Sequence, residues 1–595
     1  MIVFAYVCNL VFKRFFTYLS VCFLVTFLSS CSSSSSSKIE VTAIEARDPE
    51  AATGLKPKNL VTSEHAMVVA ANPYAVEAGL KVLKLGGSAF DAAIAVQMVL
   101  TLVEPQSSGI GGGAFILHWD EEKQKLTGLD GRETAPSQAN SELFFENGKP
   151  VSWHQAVVGG RSVGVPGIIA ALELGHKKYG KLPWKILFKS AIELSEQGFV
   201  VSPRLASLLD KNLNPGVETL SVSRDYFYPK GQALQAGAVK TNPELAASLR
   251  LISQQGAQGF YQGQLASDIA NAVQGSKIAP GLLSLTDLAN YQAKWREPIC
   301  QPYHSYKVCG FAPPTSGGTT VLSTLKLLEP LHLADYEVNS TQALHLLTQA
   351  WRLSFADRNH YVADSDFVNV PLDKLFSDSY LNKRRQLIDK NKDMGFVEAG
   401  LFTVDSGISY QQPSTTHISI VDQWGNAVSM TSSIEMAFGS AVMVGGFLLN
   451  NQLTDFAFTA EKSGQLIANR VEANKRPRSS MAPTIVFDQQ NNFKGALGSP
   501  GGARIINYVS QTLIGLIDWQ LDIQSAIDLP KITNLNGSTA VEAGTNLADQ
   551  ADYFSGLGHE VVVRDLNSGL HGIWLESGKL TGGADPRREG VAMGY

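Results

Sequence analysis

The chain has 595 residues, 44% of them hydrophobic, and a formal net charge of -5, which is small for its length. It is long enough to bury an extensive core, and no basic stripe with interleaved aromatics occurs, which excludes a nucleic-acid partner. Beyond the N-terminal region there is no Pro/Gly-rich linker, charge run or fixed-period repeat, so one closely knit unit is expected despite the length.

Lys13 and Arg14 precede an apolar run, Tyr18 to Leu28, which leads into Ser29-Ser30-Cys31. A basic segment, a short apolar core and small residues make an export signal. The run is shorter than the roughly 20 residues of a membrane-spanning helix. A cysteine after Leu-Ser-Ser resembles the bacterial lipobox. That resemblance implies removal of residues 1–30, lipid on Cys31 and a flexible tether over residues 31–58 that includes Ser32 to Ser37. The product would be an exported, periplasm-facing lipoprotein anchored in the outer membrane. An uncleaved signal anchor with a chance cysteine is the competing reading, and the apolar residues 1–12 leave the true start open. Of the five cysteines, only Cys300 and Cys309 would remain as thiols after processing. The stretch from Pro298 to Cys309 reads as two strand edges around a turn. A disulfide there is compatible with export, and its formation is left to geometry. No CxxC or His pair supports a metal role for these cysteines.

In chain order, Asn72 to Glu104 reads as two helices broken at Gly86-Gly87. The glycines of Gln106-Ser-Ser-Gly-Ile-Gly-Gly-Gly-Ala114 suit close backbone packing better than a phosphate cradle, since no Lys-Ser/Thr follows. Phe115 to Trp119 and Leu126 to Leu129 form a hairpin pattern. Residues 165–400 are mostly helical in pattern, with a loop at Phe311 to Thr319 and helices over Val321 to Leu328 and Thr341 to Ala356. After residue 415 the pattern changes to strands. Thr416 to Val421 and Ala427 to Ser432 flank a turn, and a second hairpin pattern runs from Thr484 to Leu497, before a helix over Asn507 to Ile517. Strands paired into sheets beneath helices make a layered α/β class.

Four stretches carry the chemistry together: Ser414-Thr415-Thr416-His417, Leu449-Asn-Asn-Gln-Leu-Thr-Asp455, Lys475-Arg-Pro-Arg-Ser-Ser-Met-Ala-Pro-Thr484 and Gly498-Ser-Pro-Gly-Gly-Ala-Arg504. With Gly86 to Ala93, Glu104 to Gly113, Gly164 to Gly167, Pro313 to Gly318 and Ala584 to Arg587, this set resembles the gamma-glutamyltransferase family from about Val61 to Tyr595. The resemblance implies an N-terminal-nucleophile αββα sandwich, made as one chain that cuts itself between Ser414 and Thr415. The products would be a large subunit, 59–414, and a small catalytic subunit, 415–595, held as a heterodimer.

The resemblance also assigns roles. Thr415 would attack a γ-glutamyl amide such as glutathione, its own freed α-amine acting as base, near the unperturbed amine pKa of about 7.7–8.0. Ser433 would support that hydroxyl, and Gly501 and Gly502 would offer backbone N–H groups to the oxyanion. Arg132, Ser479 and Ser480 would hold the substrate α-carboxylate. Asp455 and Gln452 would hold its α-ammonium. Water, an amino acid or a dipeptide would accept the acyl group, with no metal or cofactor needed.

Three departures stand out. Glu435 occupies a position where many transferases of the family have asparagine, so the carboxylate either tightens the grip on an ammonium or marks another acyl group. The segment from Phe456 to Asn474 is short for the family, which implies a more open site. Leu529-Pro-Lys531 replaces a more usual Pro-Arg. A glutaryl acylase of the cephalosporin-acylase type is therefore the alternative enzyme, and a degenerate lipid-anchored binding protein the alternative of another class.

Overall fold

The computed structural model describes residues 41–42, 54–400 and 414–595. The expected export signal, Cys31 and the serine tether lie outside them. Two seven-stranded sheets organise the molecule. The first runs, in spatial order, Lys294–Arg296, Lys125–Gly131, Gly113–Asp120, Ala427–Glu435, Ser414–Val421, Met67–Ala70 and Val591–Gly594. The second runs Ile299–Tyr303, Tyr306–Gly310, Thr484–Phe487, Phe493–Gly498, His571–Glu576, Lys579–Ala584 and Val61–Ser63. All pairings within both sheets are antiparallel.

The sheets pack face to face through Ser414–Val421 and Ala427–Glu435 on one side and Phe493–Gly498 and His571–Glu576 on the other. Helices Pro73–Lys84 and Ala89–Val103 cover the outside of the first sheet, and Gly317–Leu328 and Ile505–Ile517 the outside of the second. This is a four-layer αββα sandwich, and the described residues belong to one compact unit. Among the described residues no helix is long and apolar enough to cross a membrane.

Local chemistry explains the elements. Asn72 caps the first helix by accepting the Tyr74 N–H, with Pro73 at its first position. Ser88 and Asp91 form a capping box for the second. That second helix is buried along all of Ala89–Val103, as its run of Ala, Val and Leu requires. In the central hairpin turn, Asp422 accepts the Trp424 and Asn426 N–H groups while Gly425 takes a φ of 83°.

The structure departs from the sequence reading in two places and decides a point that was left open. Within residues 165–400, expected to be mostly helical, the strand Lys294–Arg296 lies on a sheet edge and carries little periodicity, while Ile299–Tyr303 and Tyr306–Gly310 are the two strand edges expected from Pro298 to Cys309. The helix Gly317–Leu328 starts inside the expected loop. Cys300 and Cys309 face each other across the edge hairpin and are joined by a disulfide.

Candidate active site

The site grows from one end of the first sheet. Gly131 pairs with Ala114, Gly113 with Ser433 and Thr416 with Ser432, so Arg132, Gly113, Ser433 and Thr415 form a row across four strands. The ladder is irregular here. Between the pairs Ser414–Glu435 and Thr416–Ser432, Thr415 faces two residues of its partner strand. The bulge bends the partner strand, and Glu435 adopts a φ of 78°, unusual for a residue with a side chain.

Strand alternation separates the two threonines. Ser432, opposite Thr416, donates to Gln97 of the covering helix. His417 turns the other way, its ring so close to Gly498 that a Cβ there would lie 2.3 Å from it. Thr415 shares the face of His417. It is 3% exposed and looks into the gap between the sheets, where the loop after Gly498 begins. In that loop Gly501 and Gly502 have φ values of 125° and 57°, a conformation that glycine adopts freely. The Ser433 hydroxyl accepts the Glu435 N–H at 2.8 Å. A Cβ on Gly112 would meet the Ser433 carbonyl at 2.1 Å, so that glycine serves packing, as its sequence context indicates.

Around this row lies a buried charge cluster. Arg132 donates to Asp455 at 2.5 Å and to the carbonyls of Pro477 and Arg478, each at 3.1 Å. Gln452 Nε2 donates to the same Asp455 oxygen at 2.9 Å. The predicted carboxylate-binding and ammonium-binding residues therefore bond each other. Burial raises the Asp455 carboxyl pKa, against the pull of Arg132. Burial first, then the Asp455 charge, push Glu435 well above the usual carboxylate range, against smaller pulls from Asn451 and Arg132.

Among the described residues, several buried atoms here meet no partner at hydrogen-bond geometry: both oxygens of Glu435 and Glu133, Arg132 Nη1, Asn451 Nδ2 and Gln452 Oε1. Buried polar atoms are nearly always satisfied, by protein, water or ligand. Water or a ligand can supply the partners these atoms lack.

Ser479 and Ser480 enter from the second sheet, just before the strand Thr484–Phe487. The Ser479 hydroxyl accepts the Met481 N–H at 3.0 Å, and that of Ser480 accepts from Arg358 at 2.5 Å. All ten predicted catalytic and substrate-binding positions thus gather at one end of the sandwich or on segments directly joined to it. Cys31 lies outside the described residues. The short segment after Asp455 does not leave the site open. Phe458 stacks on Phe144 at 4.2 Å, Asn469 donates to the Asp455 carbonyl at 2.7 Å, and Asp455, Ser479 and Ser480 are all buried.

Sequence reasoning missed Glu133, Arg358 and Arg478. Burial raises Glu133 to about 8, and its carboxylate lies where a Cβ on Gly113 would meet it at 2.5 Å, beside Ser433. Its place directly after Arg132 was the available signal. Lys531 is wholly buried, donates to the Ile527 carbonyl and is lowered to about 7 by burial and then by Arg587. It belongs to a buried network with Glu542, Asp585 and Arg587, so the Pro-Lys departure is a matter of packing.

A sequence model described as Gamma-glutamyltranspeptidase matches residues 75–595. The chain belongs to the gamma-glutamyltranspeptidase family. It is 37% identical to a glutathione hydrolase proenzyme of Bacillus subtilis over 557 residues, 90% of this chain and 92% of that one. It is 33% identical to a glutathione hydrolase proenzyme of Escherichia coli, covering 90% and 93% of the two chains. Among solved structures, a cephalosporin acylase from Bacillus halodurans superposes with a TM-score of 0.80 at 30% identity, covering 92% of this chain and 99% of that one. The fold is the N-terminal-nucleophile sandwich expected from the sequence. The chain is a gamma-glutamyltranspeptidase/glutathione hydrolase family enzyme, and a precursor processed into two subunits fits that family.

Proposed function

We propose that Thr415 is the nucleophile of a self-processing γ-glutamyl transferase and hydrolase. The observation that carries the substrate assignment is the set of orphaned buried atoms. Arg132 Nη1, 3.5 Å from the Glu133 carboxylate, can still take an acceptor at hydrogen-bond distance, and Glu435 and Gln452 Oε1 can take a donor. An amino-acid head group, with one carboxylate and one ammonium, supplies both. Binding would draw Arg132 partly away from Asp455 toward the carboxylate and offer the ammonium to Asp455 and Glu435.

The chemistry follows from the chain's own groups. The Thr415 hydroxyl adds to the Ser414 carbonyl, the C–N bond breaks and an ester forms. Water hydrolyses the ester, leaving Thr415 with a free α-amine. That amine then takes the hydroxyl proton as the oxygen attacks the γ-carbonyl. Gly501 and Gly502 N–H groups stabilise the oxyanion, the amine product leaves with a proton, and water or an amino acid resolves the acyl-enzyme.

Denaturing electrophoresis should give two bands, with sequencing of the smaller one starting at Thr415. Thr415→Ala should stay as one band and lose turnover of a γ-glutamyl anilide by on the order of 10,000-fold or more. A cut, active Thr415→Ala enzyme would sink the assignment. The likeness to a cephalosporin acylase favours one second reading, a glutaryl amide substrate. Glutaryl groups lack the ammonium that Glu435 and Asp455 suit, so a preference for the glutaryl over the γ-glutamyl anilide would reverse the assignment.

The export signal and Cys31 support a lipid-anchored, periplasm-facing enzyme, as does the Cys300–Cys309 bridge, since disulfides persist in oxidising compartments. Cys31→Ser should move the protein from the membrane to the soluble fraction. An unchanged distribution would exclude the lipid anchor.

A further inference from the structure

Arg358 lies in the last turn of the helix Thr341–Tyr361 and is buried at 3% exposure. Its fork reaches the two serines by different routes. Nη2 donates directly to the Ser480 hydroxyl at 2.5 Å. Nε donates to Ser316 at 2.8 Å, and the Ser316 hydroxyl donates to the Ser479 carbonyl at 2.6 Å. The Ser316 N–H donates to that same carbonyl at 2.8 Å. One guanidinium therefore fixes both members of the serine pair.

A hydroxyl has a single proton and can accept as well. With Arg358 donating into its oxygen, Ser480 is turned so that its own proton is given to an acceptor. Ser479 is turned in the same sense by the Met481 N–H. The helix end is itself held, because Arg478 Nη1 donates to the carbonyls of Arg358, Asn359 and Val362 at 3.1, 3.3 and 3.4 Å. A cation at a helix C-terminus satisfies the last carbonyls and suits the dipole.

Arginine stays protonated in proteins, so Arg132, Arg358 and Arg478 place three buried positive charges together. Burial and Arg478 disfavour the charge on Arg358, and Asp455 favours it, but Asp455 is already ion-paired with Arg132. An incoming carboxylate would meet that positive charge.

We propose that Arg358 is a positioning residue of the α-carboxylate subsite, presenting Ser479 and Ser480 as paired donors and supplying the positive charge behind them. The proposal deepens the γ-glutamyl reading and rests on it.

The test is steady-state kinetics of the processed enzyme on two anilides, γ-glutamyl and 4-aminobutyryl, which differ only in the α-carboxylate. Arg358→Gln should raise KM for the γ-glutamyl anilide by about 10- to 100-fold, the range of a charge-assisted contact, with little change in kcat. The kcat/KM for the 4-aminobutyryl anilide should hardly move. Arg358→Lys should recover part of the loss, because it restores charge and one donor but no fork. Ser316→Ala, which removes only the relay, should raise KM for the γ-glutamyl anilide several-fold with the same selectivity. Equal losses on both anilides, or a fall in kcat at unchanged KM, would overturn the proposal. If Arg358→Gln yields no processed enzyme, an unchanged KM in Ser316→Ala overturns it instead. Failure of the γ-glutamyl reading shows separately, as a wild-type enzyme that does not prefer the γ-glutamyl anilide over the 4-aminobutyryl one.

Discussion

The helix Thr341–Tyr361 serves two buried polar clusters that differ in one respect. Toward its middle, His345, Gln349 and Arg352 share a face. Arg352 grips both oxygens of Asp393 at 2.8 and 2.9 Å, and Gln349 donates to Asp393 at 2.8 Å. His345 Nε2 must donate to the Asp389 carbonyl, so its Nδ1 accepts from His559 Nε2. His559 Nδ1 in turn accepts from Thr539. Both imidazoles are neutral in this chain, and burial lowers His559 to about 4. No atom of these six side chains is an orphan among the described residues. At the helix end, the cluster of Arg132, Glu133, Glu435 and Asp455 is equally buried and carries several orphans. The first network is closed within the protein, whereas the second leaves polar atoms for water or a ligand to satisfy.

The largest expected effect separates the two. Asp393→Ala leaves Arg352 buried without its anion, so thermal or denaturant unfolding should show a loss of about 3–5 kcal/mol, with the KM of the surviving enzyme unchanged. Asp455→Asn should weaken kcat/KM for a γ-glutamyl anilide by about 30- to 100-fold, a lost charge-assisted contact, and lower the melting temperature less than Asp393→Ala does, because the buried Arg132 loses its counter-charge but keeps an acceptor. If Asp393→Ala altered KM while Asp455→Asn unfolded the protein, the distinction between the clusters would fall.

The smallest effect concerns Glu435. Its folded pKa lies above the unfolded value, so its favourable contribution is complete below the unfolded pKa and is lost as pH rises through the folded one. Glu435→Gln should therefore raise the melting temperature at pH 8 relative to wild type, with a smaller or no gain near pH 4. The same variant should weaken binding of the ammonium. A gain that was equal at both pH values would remove the ionisation argument.

Much of this was legible in the sequence, and the reasons are specific. Thr415, Gly501-Gly502, Ser479-Ser480 and Asp455 sit in contiguous runs whose residue types are unusual together. The helices and central hairpins follow from periodicity and turn chemistry. Arg358 was hidden because its partner Ser480 lies 122 positions away, and an arginine within a helix looks like any solvated charge. The strands after residue 570 and the edge strand Lys294–Arg296 escaped because they are short and carry no clear alternation. That Arg132 and Asp455 bond each other is a three-dimensional fact, set by the row across the first sheet.

The strand order has a mechanical consequence. Ser414–Val421 is flanked by Met67–Ala70 and Ala427–Glu435, and the latter lies against Gly113–Asp120, while Val61–Ser63 closes the far edge of the second sheet. Segments from before and after residue 415 are therefore woven through both sheets. The proposed cut ahead of Thr415 would remove one covalent bond and none of the rungs that join these segments. The two pieces could part only by unravelling both sheets, so their lifetime together is the unfolding lifetime of the whole, and dilution alone should not separate them.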